Sequence, residues 1–255
     1  MNRLTWSMAT HFWRVPILWH RLCHYANHAE KYTEAERWSF MQELFQLSVK
    51  LGNIELLVAG QENLPEEGGF MLYSNHQGKF DANAIVASCA RPFGVVMKKE
   101  LATHPFFKRI IKCTDSFAMD RENVRQSLTV INNVITEIKK GRNYLIFPEG
   151  EANRFSNAVG SFKHGSFRCA TKTGCPVVPV ALVDCFKPMD QQGHDRVTIQ
   201  VHYLPPIYAE EYRGMSTTQL AELVKSRIED TIRDYADPAS IIPFTEAETA
   251  LAVRK

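Results

Sequence analysis

From residue 53 onward, short apolar runs alternate with longer stretches in which apolar residues recur every three to four positions. The runs predict strands near 54–59, 70–74, 94–98, 115–119, 143–147, 177–183 and 196–203. The stretches between them predict helices near 81–90, 104–111, 122–140, 164–173 and 217–235. Strands and helices taking turns along a chain predict an α/β fold, with a mixed, largely parallel central sheet flanked by helices. Ser216 and Gln219 form a capping box ahead of the last helix, and Pro238 marks its end. The fold region is expected to occupy residues 53–236, and residues 237–255 to form a loosely attached tail.

The first 52 residues follow a different pattern. Thr33 and Glu36 have the spacing of a capping box, and Phe40, Leu44, Leu47 and Leu51 then recur at helical spacing until Gly52. Trp38, Met41 and Phe45 widen that helix's apolar face, enough to touch both the domain and a second apolar phase. Ahead of it, a first helix is expected to start or kink at Pro16. Residues 1–29 contain no Asp or Glu, but they carry Arg3, Arg14, Arg21 and four of the nine histidines. All four tryptophans, Trp6, Trp13, Trp19 and Trp38, fall within the first 38 residues. Aromatic and apolar residues on one side with cations on the other suit a helix lying at a membrane surface, and they equally suit a helix pair packed on the core.

Composition narrows the class. A chain of 255 residues with 45% hydrophobic residues can bury a sizeable core. Thirty basic against 28 acidic residues give a net charge of +2, and basic residues are not interleaved with aromatics beyond the N-terminal segment, so no nucleic-acid partner is expected. Six cysteines without paired spacing point to reduced thiols, and no ligand cluster suggests a metal. No window is apolar for the roughly 18 residues a spanning helix needs, and no signal-peptide pattern precedes the fold, so a cytoplasmic location is expected.

Two segments carry candidate chemistry. In Ser74-Asn75-His76-Gln77-Gly78-Lys79-Phe80-Asp81, a His and an Asp five residues apart follow a strand. They can meet only if Gln77, Gly78 and Lys79 make a turn, which Gly78 would ease. The carboxylate would then hold one ring nitrogen and leave the other as a base, the Asp-His half of a hydrolase triad without the serine. By itself this spacing is as well explained by a loop His and an N-capping Asp. In Phe147-Pro148-Glu149-Gly150, Pro ends a strand and Gly permits a backbone turn against a ligand, while Glu149 could hydrogen-bond a hydroxyl and orient a substrate. Arg121 and Arg154 are candidates for holding a phosphate, with Lys79 and Lys163 as helpers.

In this order these residues resemble the glycerolipid acyltransferase family, whose best-known bacterial members are 1-acylglycerol-3-phosphate acyltransferases. The family's Asn-His-x4-Asp block matches Asn75, His76 and Asp81, and its block ending in Asp-Arg matches Asp120 and Arg121. Its Phe-Pro-Glu-Gly block matches Phe147 to Gly150, and its Val-Pro-Val block matches Val178, Pro179 and Val180. The resemblance implies a catalytic pair, with His76 as general base on a glycerol hydroxyl and Asp81 orienting it. It also implies acceptor binding by Glu149, Gly150 and Arg121, and a pocket shaped by Pro179. No acyl-enzyme and no cofactor are implied, the acyl donor being acyl-CoA or acyl carrier protein.

Two departures bear on the acceptor. The family commonly continues Phe-Pro-Glu-Gly with Thr-Arg-Ser, where this chain has Glu151, Ala152 and Asn153 before Arg154. Its second block commonly opens with Gly and carries Phe three residues before Arg, where Asp115 and Ala118 stand here.

The expected protein is a peripheral enzyme on the cytoplasmic face of the cell membrane. Residues 1–52 would form a two-helix docking element, residues 53–236 the acyltransferase domain, and the product would be phosphatidate. Another lysophospholipid is the alternative acceptor. A thioester or lipid hydrolase and a non-catalytic lipid-binding protein are alternatives of other classes; no Gly-x-Ser-x-Gly elbow supports the hydrolase.

Overall fold

The apolar runs become the strands of one sheet in the computed structural model, which describes residues 3–153 and 156–241. These are β1 (Ile54–Ala59), β2 (Met71–Ser74), β3 (Gly94–Lys98), β4 (Phe117–Met119), β5 (Tyr144–Ile146), β6 (Val177–Val183) and β7 (Val197–Tyr203). Their spatial order is β1-β7-β6-β2-β5-β3-β4, and every pairing is parallel except the antiparallel one between β6 and β7. The carboxyl ends of β6, β2, β5, β3 and β4 therefore share one edge of the sheet, while β1 and β7 run the other way. Pro179 sits inside β6, paired with Tyr73 of β2. Its carbonyl accepts from Leu204, one residue past the end of β7, so its missing N–H falls where the antiparallel ladder runs out.

Central strands are covered on both faces. Along β6, Val178, Val180 and Leu182 enter one core and Val177, Ala181 and Val183 the other. Such strands read as continuous apolar runs because neither face meets water. The first face is covered by α3 (Glu34–Leu51), α4 (Asp81–Ser88) and α5 (Pro105–Thr114), the second by α6 (Val124–Lys139), α7 (Arg168–Thr173) and α10 (Thr217–Tyr235). Two single-turn helices, α8 (Lys187–Asp190) and α9 (Ala209–Tyr212), flank β7 in the chain. Both capping boxes form, at Thr33 with Glu36 and at Ser216 with Gln219.

Some local expectations change. The strand expected from 115 begins at Phe117, because Asp115 takes a left-handed conformation (φ 49°) at the end of α5, where its carboxylate pairs with Arg37 and Arg142. The helix expected over 164–173 opens as a tighter 3-10 turn, His164–Phe167, before α7. Ahead of α3 there are two helices rather than one, α1 (Arg3–Thr10) and α2 (Arg14–Asn27). The chain breaks between them, and Pro16 lies in the first turn of α2, where a missing N–H costs no hydrogen bond. The broad apolar face of α3 does not reach a second phase: Trp38, Met41 and Phe45 are all buried in the core. Exposed apolar surface in this region belongs to α1, α2 and the turn between them, where Met8, Phe12, Trp13 and Ile17 lie in the open.

α2 is anchored by buried Leu22 and Ala26, by Tyr25 stacked on Phe40, and by Arg109 lying over the Trp19 ring. α1 is tied down by Arg3, which donates to the carbonyls of Asp195 and Lys187. Of the expected tail, residues 237–241 are described: Asn157 N–H donates to the Ser240 carbonyl at 2.9 Å. Residues 242–255 lie outside the described residues.

Candidate active site

The site forms where β2 and β5 end side by side. Just past β2, the buried Asn75 side chain exchanges two hydrogen bonds with the backbone of Leu182 in β6, at 2.8 and 3.0 Å. A side-chain amide thus prolongs the sheet ladder by one rung and fixes the point from which His76 departs.

His76 and Asp81 meet. The His76 Nδ1 is 2.7 Å from Asp81 Oδ2, and the same oxygen accepts from the backbone N–H groups of Gln77 (2.6 Å) and Gly78 (3.0 Å). Asp81 is the first residue of α4 and is fully buried, so one carboxylate oxygen both closes the turn and holds the imidazole. With Nδ1 facing a carboxylate, the proton sits on Nδ1, and Nε2 has no hydrogen-bond partner among the described residues. The ring stacks on Phe147 at the end of β5, with centroids 4.3 Å apart and planes 24° from parallel, and its side chain keeps 21% exposure. The turn is tight for a reason other than left-handed geometry. A Cβ on Gly78 would lie 2.6 Å from Asp190 Oδ2 and 2.9 Å from Phe186 Cα, so the glycine is needed for close approach to the α8 segment.

Glu149 faces the protein backbone. Its Oε1 accepts from His76 N–H at 2.7 Å and its Oε2 from Gly160 N–H at 2.9 Å, and it is 9% exposed. The carboxylate expected to orient a substrate therefore clamps the base's own backbone to the 156–162 loop. Burial pushes its carboxyl up to about 7, opposed by the two N–H donors and the neighbouring imidazole. Gly150 adopts φ +82°, and a Cβ there would come within 2.7 Å of Lys163 Nζ, so the lysine head lies directly against this glycine.

Behind the turn lies a polar network that local sequence does not announce. Gln77 accepts from Cys185 N–H and donates to Asn157 Oδ1, both at buried positions. Asn157 Oδ1 also accepts from Asp184 N–H, and its Nδ2 donates to Asp184 and Ser240. The His76 turn is thereby fastened to the end of β6 and to the segment around Ser240.

Arg121 follows β4, three strands from β2 along the carboxyl edge, a distance of about 14 Å at ordinary strand spacing. Its turn is shaped by Asp120, which accepts from Lys99 Nζ (2.6 Å) and Glu122 N–H. Arg121 is half-buried and donates no hydrogen bond to a described residue. Burial lowers its pKa, and Glu151 and Glu100 are the charges that act against that. Lys79 is turned away toward α8, its Nζ 3.7 Å from Asp190. Arg154 lies outside the described residues. No group of three or more metal-ligating side chains occurs among the described residues.

A family model described as Acyltransferase matches residues 55–183. The 1-acyl-sn-glycerol-3-phosphate acyltransferase of Borreliella burgdorferi is 26% identical over 196 residues, covering 76% of this chain and 75% of that protein. The enzyme of the same name from Escherichia coli K12 is 28% identical over 168 residues, covering 66% and 68%. The crystal structure of the 1-acyl-sn-glycerophosphate (LPA) acyltransferase PlsC from Thermotoga maritima superposes over 91% of this chain and 92% of its own, with a TM-score of 0.71 at 20% identity, and so shares the fold.

Proposed function

The chain belongs to the acyltransferase family, and from that membership and the geometry around His76 we propose that it transfers a fatty acyl group from a thioester to the free hydroxyl of 1-acyl-sn-glycerol 3-phosphate, giving phosphatidate. The observation that carries the mechanism is the 2.7 Å contact from His76 Nδ1 to Asp81, which leaves Nε2 as the proton acceptor. Nε2 takes the hydroxyl proton as the glycerol oxygen attacks the thioester carbonyl. The C–O bond forms, the C–S bond breaks, and the proton passes to the leaving thiolate of CoA or acyl carrier protein. No acyl-enzyme is needed. Glu149 acts through His76 as a positioning residue, and the backbone N–H groups of His76, Gln77, Gly78 and Gly160 are all committed to carboxylates.

Arg121, half-buried and with no donor committed to a described residue, fits the acceptor phosphate, which it would meet with charge-assisted hydrogen bonds. Glu151 and Glu100 beside it favour, as a second reading, an acceptor whose headgroup also carries an amine. Mass-spectrometric assay with an acyl thioester and a panel of lysophospholipids decides between them. Phosphatidate is the expected product, with Arg121→Ala raising KM for lysophosphatidate by about 10- to 100-fold. A different acylated lipid would shift the acceptor, and free fatty acid alone would make the protein a hydrolase.

No described helix is long and apolar enough to cross a membrane. We propose peripheral attachment at the cytoplasmic face through α1 and α2, supported by the exposed Phe12 (69%), Trp13 (55%) and Ile17 (62%) in a segment without acidic residues. Replacing these three by Ser is expected to abolish co-sedimentation with anionic vesicles while sparing turnover in detergent micelles. Unchanged co-sedimentation would place the attachment elsewhere.

A further inference from the structure

Between α2 and α3 runs a groove of about 570 Å³, lined by Arg14 on one side and by Ser39, Gln42, Glu43, Gln46, Leu47 and Lys50 on the other. Its charges are unbalanced. Glu43 is taken by Arg21 in a two-pronged pair, 2.7 Å on each arm. Arg14 and Lys50 have no ion pair or side-chain hydrogen bond to any described residue, and no Asp or Glu occurs before Glu30. Gln42 and Gln46 are fixed in place by donating to the carbonyls of Cys89 and Ala87. Arg21 pairs with Glu43 and Tyr25 stacks on Phe40, so α2 runs antiparallel to α3 and Arg14 comes level with Lys50. Two cations without a partner among the described residues make that end of the groove a site for an anion.

Its placement says which anion. Arg14 directly follows Phe12 and Trp13 and precedes Ile17, all exposed. Lys50 stands at the carboxyl end of α3, and there Asn53 donates to the carbonyl of His194, whose ring lies 5.1 Å from that of Trp6. The same 187–195 stretch receives Arg3, and Asp190 at its start pairs with Lys79 beside the base. The cationic end of the groove therefore lies at the end of the sheet that carries His76, bordered by the apolar residues of α1 and α2.

We propose that this groove binds the phosphate of an anionic membrane phospholipid that is not the substrate, with Arg14 and Lys50 as its ligands. The lipid seats α2 against α3 and holds the His76 end of the molecule on the bilayer. This rests on the docking of α1 and α2 proposed above, but it can be tested without a bilayer.

The test is titration with a short-chain phosphatidylglycerol kept below its micelle concentration, read by calorimetry. The intact protein is expected to bind it saturably, and the Arg14→Gln/Lys50→Gln variant at least about tenfold more weakly. Leu47→Trp, which fills the groove one turn before Lys50 and leaves every charge in place, should weaken binding as well. Lys31→Gln, an exposed charge outside the groove, should not, and turnover in detergent should survive all three changes. Absence of binding, binding untouched by the double substitution or by Leu47→Trp, or an equal loss in Lys31→Gln would overturn the site. Inorganic phosphate binding as tightly with the same dependence would mean a free-anion site and overturn the lipid assignment. Vesicle attachment lost in the Phe12, Trp13, Ile17 variant with short-chain lipid binding retained would support both proposals, whereas attachment retained there would count against docking alone.

Discussion

His76→Ala is expected to lose acyl transfer by roughly 10²- to 10⁴-fold while folding and sedimenting with vesicles as the intact chain does. The side chain has few structural duties. Its ring covers Phe147 and touches Asp81, and it remains partly exposed, so truncation opens a space that water can enter. Asp81 keeps two backbone N–H donors after the loss, and the turn they close should persist. The backbone N–H of residue 76 would still donate to Glu149, so the clamp on the loop is untouched. Thermal unfolding should accordingly change little, and kcat/KM should carry the effect. A folded variant that turns over within threefold of the intact enzyme would remove His76 as the base.

Much of this site was readable from sequence because its parts are local. A strand followed by His and then Asp five residues on can close only in a tight turn, and a strand stopped by Pro and followed by Gly must leave the sheet. The two strands that lead to His76 and Phe147 announced themselves as apolar runs, since covering both faces leaves no room for alternation. Other features were hidden because they depend on contacts between distant segments. Glu149 reads as a substrate contact until Gly160, 11 residues on, is seen to take its second oxygen. Asn157 belongs to no motif, yet its one amide joins Gln77, Asp184 and Ser240. Gly78 looks like a flexible hinge, but the space it leaves is filled by Asp190, more than a hundred residues away. The widened face of α3 could be counted from sequence, but not assigned: a stripe of Trp, Met and Phe has the same pattern whether it meets a membrane or the other helices of its own core.

Asp81→Asn separates the two tasks that one oxygen performs. The substituted amide has a single correct orientation. Its carbonyl must take the place of Oδ2, because an NH₂ group there would confront the N–H groups of Gln77 and Gly78 as well as Nδ1–H. The turn therefore survives, and His76 still presents Nε2, but the negative charge that would stabilise the imidazolium during proton transfer is gone. In a triad, neutralising the equivalent carboxylate costs up to about 10⁴-fold, part of it through a wrong tautomer. Here the tautomer is kept, and a loss of roughly 10²- to 10³-fold is expected, falling on kcat with KM for both substrates nearly unchanged, since the charge matters only once the proton has moved. Stability should drop too. Asp81 Oδ1 is buried without a partner, and an NH₂ in its place becomes an unpaired buried donor, costing about 1–3 kcal/mol in chemical denaturation. If the variant is destabilised to that degree and yet retains its kcat, Asp81 is only the cap of a turn, and the pair does not work as a unit.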